Sequence, residues 1–442
     1  MNINIKVNKD FEKTFNQIDS KYGEDFEILN GFHESQLNFS DFIDGFVDKN
    51  VADVTIDGNA NAHHKDICSL CGEKGKSEDK LFAFNKIFYE LKKKYGLRTA
   101  KEWLETEYNG GFYLHDAPSS TYKPYCYAFD LTRLAKEGLF FLEGYNNQAP
   151  KHLTTFLDDV IEFVSFMSNR SSGACGLPNV LLWTFYFWKK DCEEKYYLKD
   201  PDYYIRQSFQ KFIYRLNQPF LRVDQSAFVN VSIFDKPYLE ALFGGVEFPD
   251  GTFAIDYLDE LIEHQKIFME VVSDIRSHNM FTFPVLTYSL LYKDGKFEDE
   301  EFARWCSDHN TVWNDSNFFM SDNVGVLSNC CRLLSDTSKL DGFINSIGGT
   351  ALSIGSVKVN TINLMRIAYE TDFSEAKYLK KLRKRTELCC KTLDIVRHII
   401  KRNVEKGLLP NYCDGGIEMD KQYCTVGILG LYEVIEAFGY TE

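Results

Sequence analysis

Apolar residues recur at helical spacing in five stretches of the chain: 82–95 (FAFNKIFYELKKKY), 152–169, 203–216, 254–275 and 374–406. In the last, Leu379, Leu382, Leu388, Leu393, Val396 and Ile399 mark one face, and Gly407 supplies the stop. Short apolar or alternating runs predict strands at 125–131 (YCYAFDL), 228–234 (FVNVSIF), 283–292, 316–320, 357–364 (VKVNTINL) and 425–431. Strands separated by long helices predict an α/β architecture with largely parallel pairing. Residues 1–60 are polar and aromatic with weak periodicity, and read as an N-terminal extension wrapped on the body. With ten prolines, no repeat and no low-complexity tract, residues 61–442 read as one continuous domain.

Composition narrows the class. A hydrophobic content of 44% over 442 residues is enough apolar surface for a large core. The net charge of −15, with no basic tail or stripe, argues against direct nucleic-acid binding. Small anions remain compatible with it, because backbone N–H groups at loops and helix starts bind phosphates whatever the net charge. The start MNINIKVNKDFEKTF lacks the apolar core of a secretory signal, and no run of about 18 apolar residues occurs, so no membrane partner is expected. The expectation is a cytoplasmic protein whose twelve cysteines are reduced.

Three segments carry candidate chemistry. In CSLCG, Cys68 and Cys71 make half a zinc knuckle, but no second CxxC or matching histidine pair follows; His63 and His64 lie just upstream. A loop with two incidental thiols explains it as well, and no metal site is assigned. In YLHDAPSSTYKPYCYAFDL, His115 and Asp116 open a loop and Cys126 sits in an apolar strand, where a packing role is the ordinary reading. In NCCRLLSDTSKLDGFINSIGGTALSIGSVKVNTINLMRI, the adjacent Cys330 and Cys331 cannot easily close a disulfide on each other. Gly348, Gly349 and Gly355 then break regular structure, with Ser353 and Ser356 adding small polar groups, which suits a loop whose backbone closes on a ligand. Loops on a rigid scaffold tend to hold reactive groups.

The succession SNCCRL, GGTALSIGSVKVNTINL, PYCYAFDL upstream and YCTVGILGLYEVIEAFGY near the end resembles the catalytic subunit of anaerobic, class III ribonucleoside-triphosphate reductase. DGNANAHH, GACGLPN (173–179), QSAFVNVSIFD (225–235), FPVLTYSL (283–290) and NFFMSD (317–322) fit in the family's order, so the resemblance runs from about residue 50 to the end. It implies a ten-stranded α/β barrel of two half-barrels, with a finger loop at about 325–335 threading the centre. It also implies reduction of ribonucleoside triphosphates to 2′-deoxyribonucleoside triphosphates. A glycyl radical, made by a radical-SAM activase with an iron–sulfur cluster, would convert the finger-loop cysteine to a thiyl that takes the ribose 3′ hydrogen. The family's thiyl cysteine precedes an arginine, which selects Cys331 before Arg332 and leaves Cys330 as a packing neighbour. Cys126 would act on the opposite face of the ribose as the 2′-hydroxyl leaves. Asn363, before LMRI, would orient the hydroxyls through an amide that does not titrate, with Asn360 as the alternative. His115 would position or protonate the leaving hydroxyl, and Gly348, Gly349, Ser353, Gly355 and Ser356 would contact substrate.

The family's four-cysteine zinc site and C-terminal glycyl-radical motif have no counterpart in these residues. Gly439 before Tyr440 matches an internal segment of the family instead. The expectation is therefore a chain inactive alone, whose glycyl-radical domain comes from the rest of a longer chain or from a second chain. No ATP-cone module is recognisable. Control of substrate choice by dNTP or ATP effectors at a homodimer interface is expected to involve the helices at 82–95 and 152–169. Asn363 favours formate as reductant over a thioredoxin-type protein. Two rival readings are another glycyl radical enzyme of the pyruvate formate-lyase type, which PYCYAFDL and VNTINLMRI count against, and a non-catalytic dNTP-binding remnant, which has no need of Cys126 opposite Cys331.

Overall fold

The computed structural model describes residues 7–22, 44, 67–142, 148–197, 199–218, 221–222, 227–278, 281–324, 326–329, 333–336, 354–413 and 417–440. Its strands are β1 (Phe112–Leu114), β2 (Cys126–Ala128), β3 (Cys175–Gly176), β4 (Val229–Phe234), β5 (Val285–Lys293), β6 (Lys296–Phe297), β7 (Ser316–Ser321), β8 (Val326–Asn329), β9 (Leu333–Asp336), β10 (Gly355–Asn363) and β11 (Gln422–Leu429).

Strands β2, β3, β4, β5 and β7 pair side by side, all parallel. The helices between them make this possible, since a parallel neighbour needs a long crossover. β4 reads VNVSIF and is buried at every position, as expected of a strand covered on both faces. β10 runs antiparallel to β1 and β2 on one edge and parallel to β11 on the other. The expected α/β architecture is thus present: one half of five parallel strands, and the first two parallel strands of a half running the other way. Between β7 and β10 in the chain, β8 and β9 form a separate antiparallel pair with Asn329 opposite Leu333.

Two cores flank the sheet. The larger packs helices Leu153–Ser168, Val180–Glu193, Pro201–Leu216 and Leu258–His278 against β2–β5 through Tyr127, Phe156, Trp183, Phe209 and Phe268. The second packs helices Ile67–Tyr95, Leu97–Tyr108 and Glu375–Glu405 against β1 and β10. The predicted N-terminal extension includes a helix, Lys9–Tyr22, whose Phe11 and Ile18 are buried in this second core. Asp200, Asp235 and Asp299 each cap a helix by accepting the backbone N–H three residues on. Gly407, at φ 74°, ends Glu375–Glu405 where the sequence placed the stop, and the Leu408 N–H reaches back to the Asn403 carbonyl. No described helix is long and apolar enough to cross a membrane.

Candidate active site

Cys126 opens β2 and is fully buried, directly across from Ser356 on β10. Alternation along β2 turns Tyr127 into the larger core and leaves Cys126 in a small separate cluster with Ala174, Tyr125 and Phe228. Two glycines make room for it. A Cβ on Gly173 would lie 2.7 Å from Cys126 Sγ, and one on Gly355 would collide with the Cys126 carbonyl oxygen. Gly355 therefore serves the close approach of two strands. The expectation of a loop at Gly355 and Ser356 is corrected: both are strand residues paired with β2, and substrate contact stays a proposal for them. Ser356 Oγ donates to the Lys358 carbonyl (3.1 Å) and shares a hydrogen bond with Thr425 Oγ1 (3.1 Å).

His115 follows β1, half-buried, with Nε2 hydrogen-bonded to Thr361 Oγ1 at 2.9 Å. Its ring packs edge-on against Tyr113 and Tyr125, at 4.7 and 5.9 Å between centroids. Tyr125 thus bridges His115 to the residue beside it, Cys126. Asp116 adopts a left-handed conformation (φ 44°), and its carbonyl accepts from Lys358 Nζ at 2.9 Å. Lys358 is fully buried on β10, with Nζ 6.0 Å from the centre of the Tyr125 ring. Burial pushes its amine down to about 8, opposed by the nearby Asp116 carboxylate and Cys126 sulfur. On the far side of Gly173, the buried Arg222 guanidinium donates to the Ser172 and Gly173 carbonyls.

Asn363 is not brought to this cluster. It lies seven residues beyond Ser356 on β10, roughly 20 Å away at ~3.3 Å per residue. Its Oδ1 accepts the Arg366 N–H (3.0 Å) and so caps helix Leu364–Glu370, while its Nδ2 donates to the Gly110 carbonyl ahead of β1 (3.2 Å). Its capping role is what the described residues show, and orienting ribose hydroxyls stays a proposal for it. Asn360, the alternative, is fully buried opposite Leu114, and neither amide atom has a hydrogen-bond partner. Cys330, Cys331, Gly348, Gly349 and Ser353 lie outside the described residues.

The CxxC pair falls in the first turn of helix Ile67–Tyr95 rather than in a loop, with Cys71 exposed. Among the described residues, one group has metal-ligand spacing: His152, Asp191 and Glu194. The buried Asp191 carboxylate already pairs with His152 Nδ1 (2.7 Å) and accepts the Leu153 N–H and the Tyr204 hydroxyl, which fixes the start of helix Leu153–Ser168 without an ion. Lys358, Tyr125, Arg222 and Gly173 are the neighbours of Cys126 that sequence reasoning missed. The available signal was a lone lysine inside the apolar run VKVNTINL.

A five-stranded parallel half-sheet, an oppositely directed second set, a hairpin between them and a buried cysteine where they meet define an α/β-barrel enzyme of the ribonucleotide reductase type. The family model for anaerobic ribonucleoside-triphosphate reductase matches residues 62–442. The anaerobic ribonucleotide reductase from Thermotoga maritima with citrate in the active site is 39% identical, covered over 100% of this chain and 77% of that one, with a TM-score of 0.86. The same enzyme in complex with dATP and CTP gives 39% and 0.85, covering 100% of this chain and 70% of that one. With dATP bound in the specificity site the values are 39% and 0.85, with 100% and 71% covered. None of the curated proteins compared with the chain matches it. The chain belongs to the anaerobic ribonucleoside-triphosphate reductase family, whose members are oxidoreductases acting on ribonucleotides.

Proposed function

We propose that a ribonucleoside triphosphate loses its 2′-hydroxyl beside Cys126, where β2 meets β10. The observation that carries this is Cys126, buried where the two oppositely directed strand sets meet, with the β8–β9 hairpin between those sets in the chain. A glycyl radical supplied from outside these 442 residues would provide the oxidising equivalent. Cys331 carries the thiyl, since an S–H bond is weak enough to relay hydrogen atoms, and Cys330 packs beside it. Cys126 serves the other face of the ribose. His115, held by Thr361 and two tyrosine rings, stands ready to hydrogen-bond the leaving oxygen. Gly348, Gly349 and Ser353 remain substrate contacts on this reading.

The radical-SAM activase, a homodimer with dNTP or ATP effectors at its interface, and a formate or thioredoxin-type reductant complete the proposed system, which is cytoplasmic. Asn363, which favours formate on this reading, also caps its helix. Zinc belongs to the glycyl-radical domain and not to the described residues. The family match displaces the pyruvate formate-lyase alternative.

The test is anaerobic turnover of a ribonucleoside triphosphate with the glycyl-radical domain and activase supplied. Cys331→Ser and Cys126→Ser should each abolish deoxynucleotide formation and leave dNTP binding intact. Turnover that survives Cys331→Ser removes the thiyl assignment.

A further inference from the structure

Tyr113 is 63% exposed in a three-residue strand whose other members, Phe112 and Leu114, are buried in the second core. Alternation turns its ring to the opposite face of the sheet. There it meets His115 edge-on at 4.7 Å between centroids, and His115 in turn meets Tyr125, the residue before Cys126. A tyrosine ring so exposed forgoes the burial that its two neighbours obtain. The face beside it is low. Tyr113 stands opposite Thr361 on β10, and Thr361 opposite Gly427 on β11. Over two strand spacings, about 10 Å, the row falls from an aromatic ring through a short side chain to none. A Cβ on Gly427 would stand 2.3 Å from Thr361 Oγ1, the atom that holds His115. Every member of the row is uncharged, which suits a flat neutral ring better than a phosphate.

We infer that the Tyr113 ring, with the low row beside it, is the subsite for the nucleobase of the ribonucleotide. The inference rests on the reaction proposed at Cys126 and adds where the rest of the substrate lies. An aromatic face stacks on any base without reading its hydrogen-bonding edge, so one ring serves purines and pyrimidines alike. His115, between Tyr113 and Tyr125, then falls on the ribose side of the base, in keeping with its proposed contact to the leaving oxygen.

The test is steady-state reduction of ATP, GTP, CTP and UTP in the anaerobic system described above. Tyr113→Ala should raise KM about tenfold for every substrate and lower kcat far less. Tyr113→Phe and Tyr113→Trp should restore most of the affinity, which a role of the phenol hydroxyl would not produce. Ribose 5-triphosphate, which has no base, should inhibit wild type and Tyr113→Ala with the same constant, whereas a general loss of structure would weaken it too. KM values that stay unchanged in Tyr113→Ala, or a loss shared equally by ribose 5-triphosphate, overturn the inference. So does weaker dATP binding at unchanged substrate KM, since the ring would then serve an effector nucleotide. Turnover surviving Cys331→Ser would instead defeat the reading on which the inference rests, whatever the KM values show.

Discussion

Gly173→Ala places one methyl group against the sulfur of the proposed site. Gly173 does not have a positive φ, so alanine can adopt its backbone and only the added volume matters. The new Cβ would stand 2.7 Å from Cys126 Sγ, 3.0 Å from the Tyr125 carbonyl oxygen and 3.1 Å from Tyr125 Cε2. The first is closer than real Cβ contacts allow, and the backbone of Cys126 is held in place by its close approach to Gly355. Overpacking of this kind costs about 1–3 kcal/mol. Urea unfolding followed by tryptophan fluorescence should therefore show an earlier transition. Cys126→Ala in the same chain deletes the shortest contact, so the double variant should recover part of the loss, with a coupling of about 1 kcal/mol. The Tyr125 contacts prevent full recovery. Equal unfolding curves for Gly173→Ala and wild type, or strict additivity with Cys126→Ala, would refute the placement of Sγ against Gly173.

Other outcomes follow from the same geometry. Asn363→Ala should cost about 0.5–2 kcal/mol through the lost helix cap, measured by urea unfolding, with nucleotide binding unchanged; lost turnover at unchanged stability would instead assign it the orienting role. Glu107 is buried beside Trp103, and burial pushes its carboxyl up from 4.5 to about 7. Because its folded pKa is raised, its contribution is present below about pH 4.5 and is lost as pH rises toward 7. Glu107→Gln should flatten the stability–pH curve in that window, and a curve as steep as wild type would exclude Glu107 as its source. His264 shows the opposite sign: burial pulls its imidazole down to about 3, so stability falls as pH drops from about 6.5 through that range, and His264→Gln should remove that part of the acid sensitivity in the same titration.

Strongly periodic or uniformly apolar elements were legible in the sequence. The helix Glu375–Glu405 and strands β4, β5, β7 and β10 fall within a few residues of their predicted positions. Helix Val180–Glu193 was missed because VLLWTFYF is apolar on all sides and buried, which leaves no periodicity to read. β1 and β3, three and two residues long, are too short to carry a pattern and exist only because β10 and β2 pair with them. At the site, Cys126 and His115 could be named from their segments. Asn363 was read as chemistry, yet an asparagine directly before LMRIAYE is also the ordinary signature of a helix start. Gly355 was read as part of a ligand loop, because the sequence cannot show that a second strand, β2, comes to rest against it.

The hydrogen bond between Lys358 and Asp116 spans 242 residues of sequence. During synthesis, β2 through β7 can assemble in order as they emerge, but the β2 edge beside Cys126 stays open until β10 is made. Long-range pairing of this kind carries a large loop-closure cost and forms late. The thiol is thus the last part of the half-barrel to be sealed, and until then it is exposed to oxidants and to other unpaired strands. Oxygen exposure during expression should accordingly damage nascent chains at Cys126 far more than completed ones.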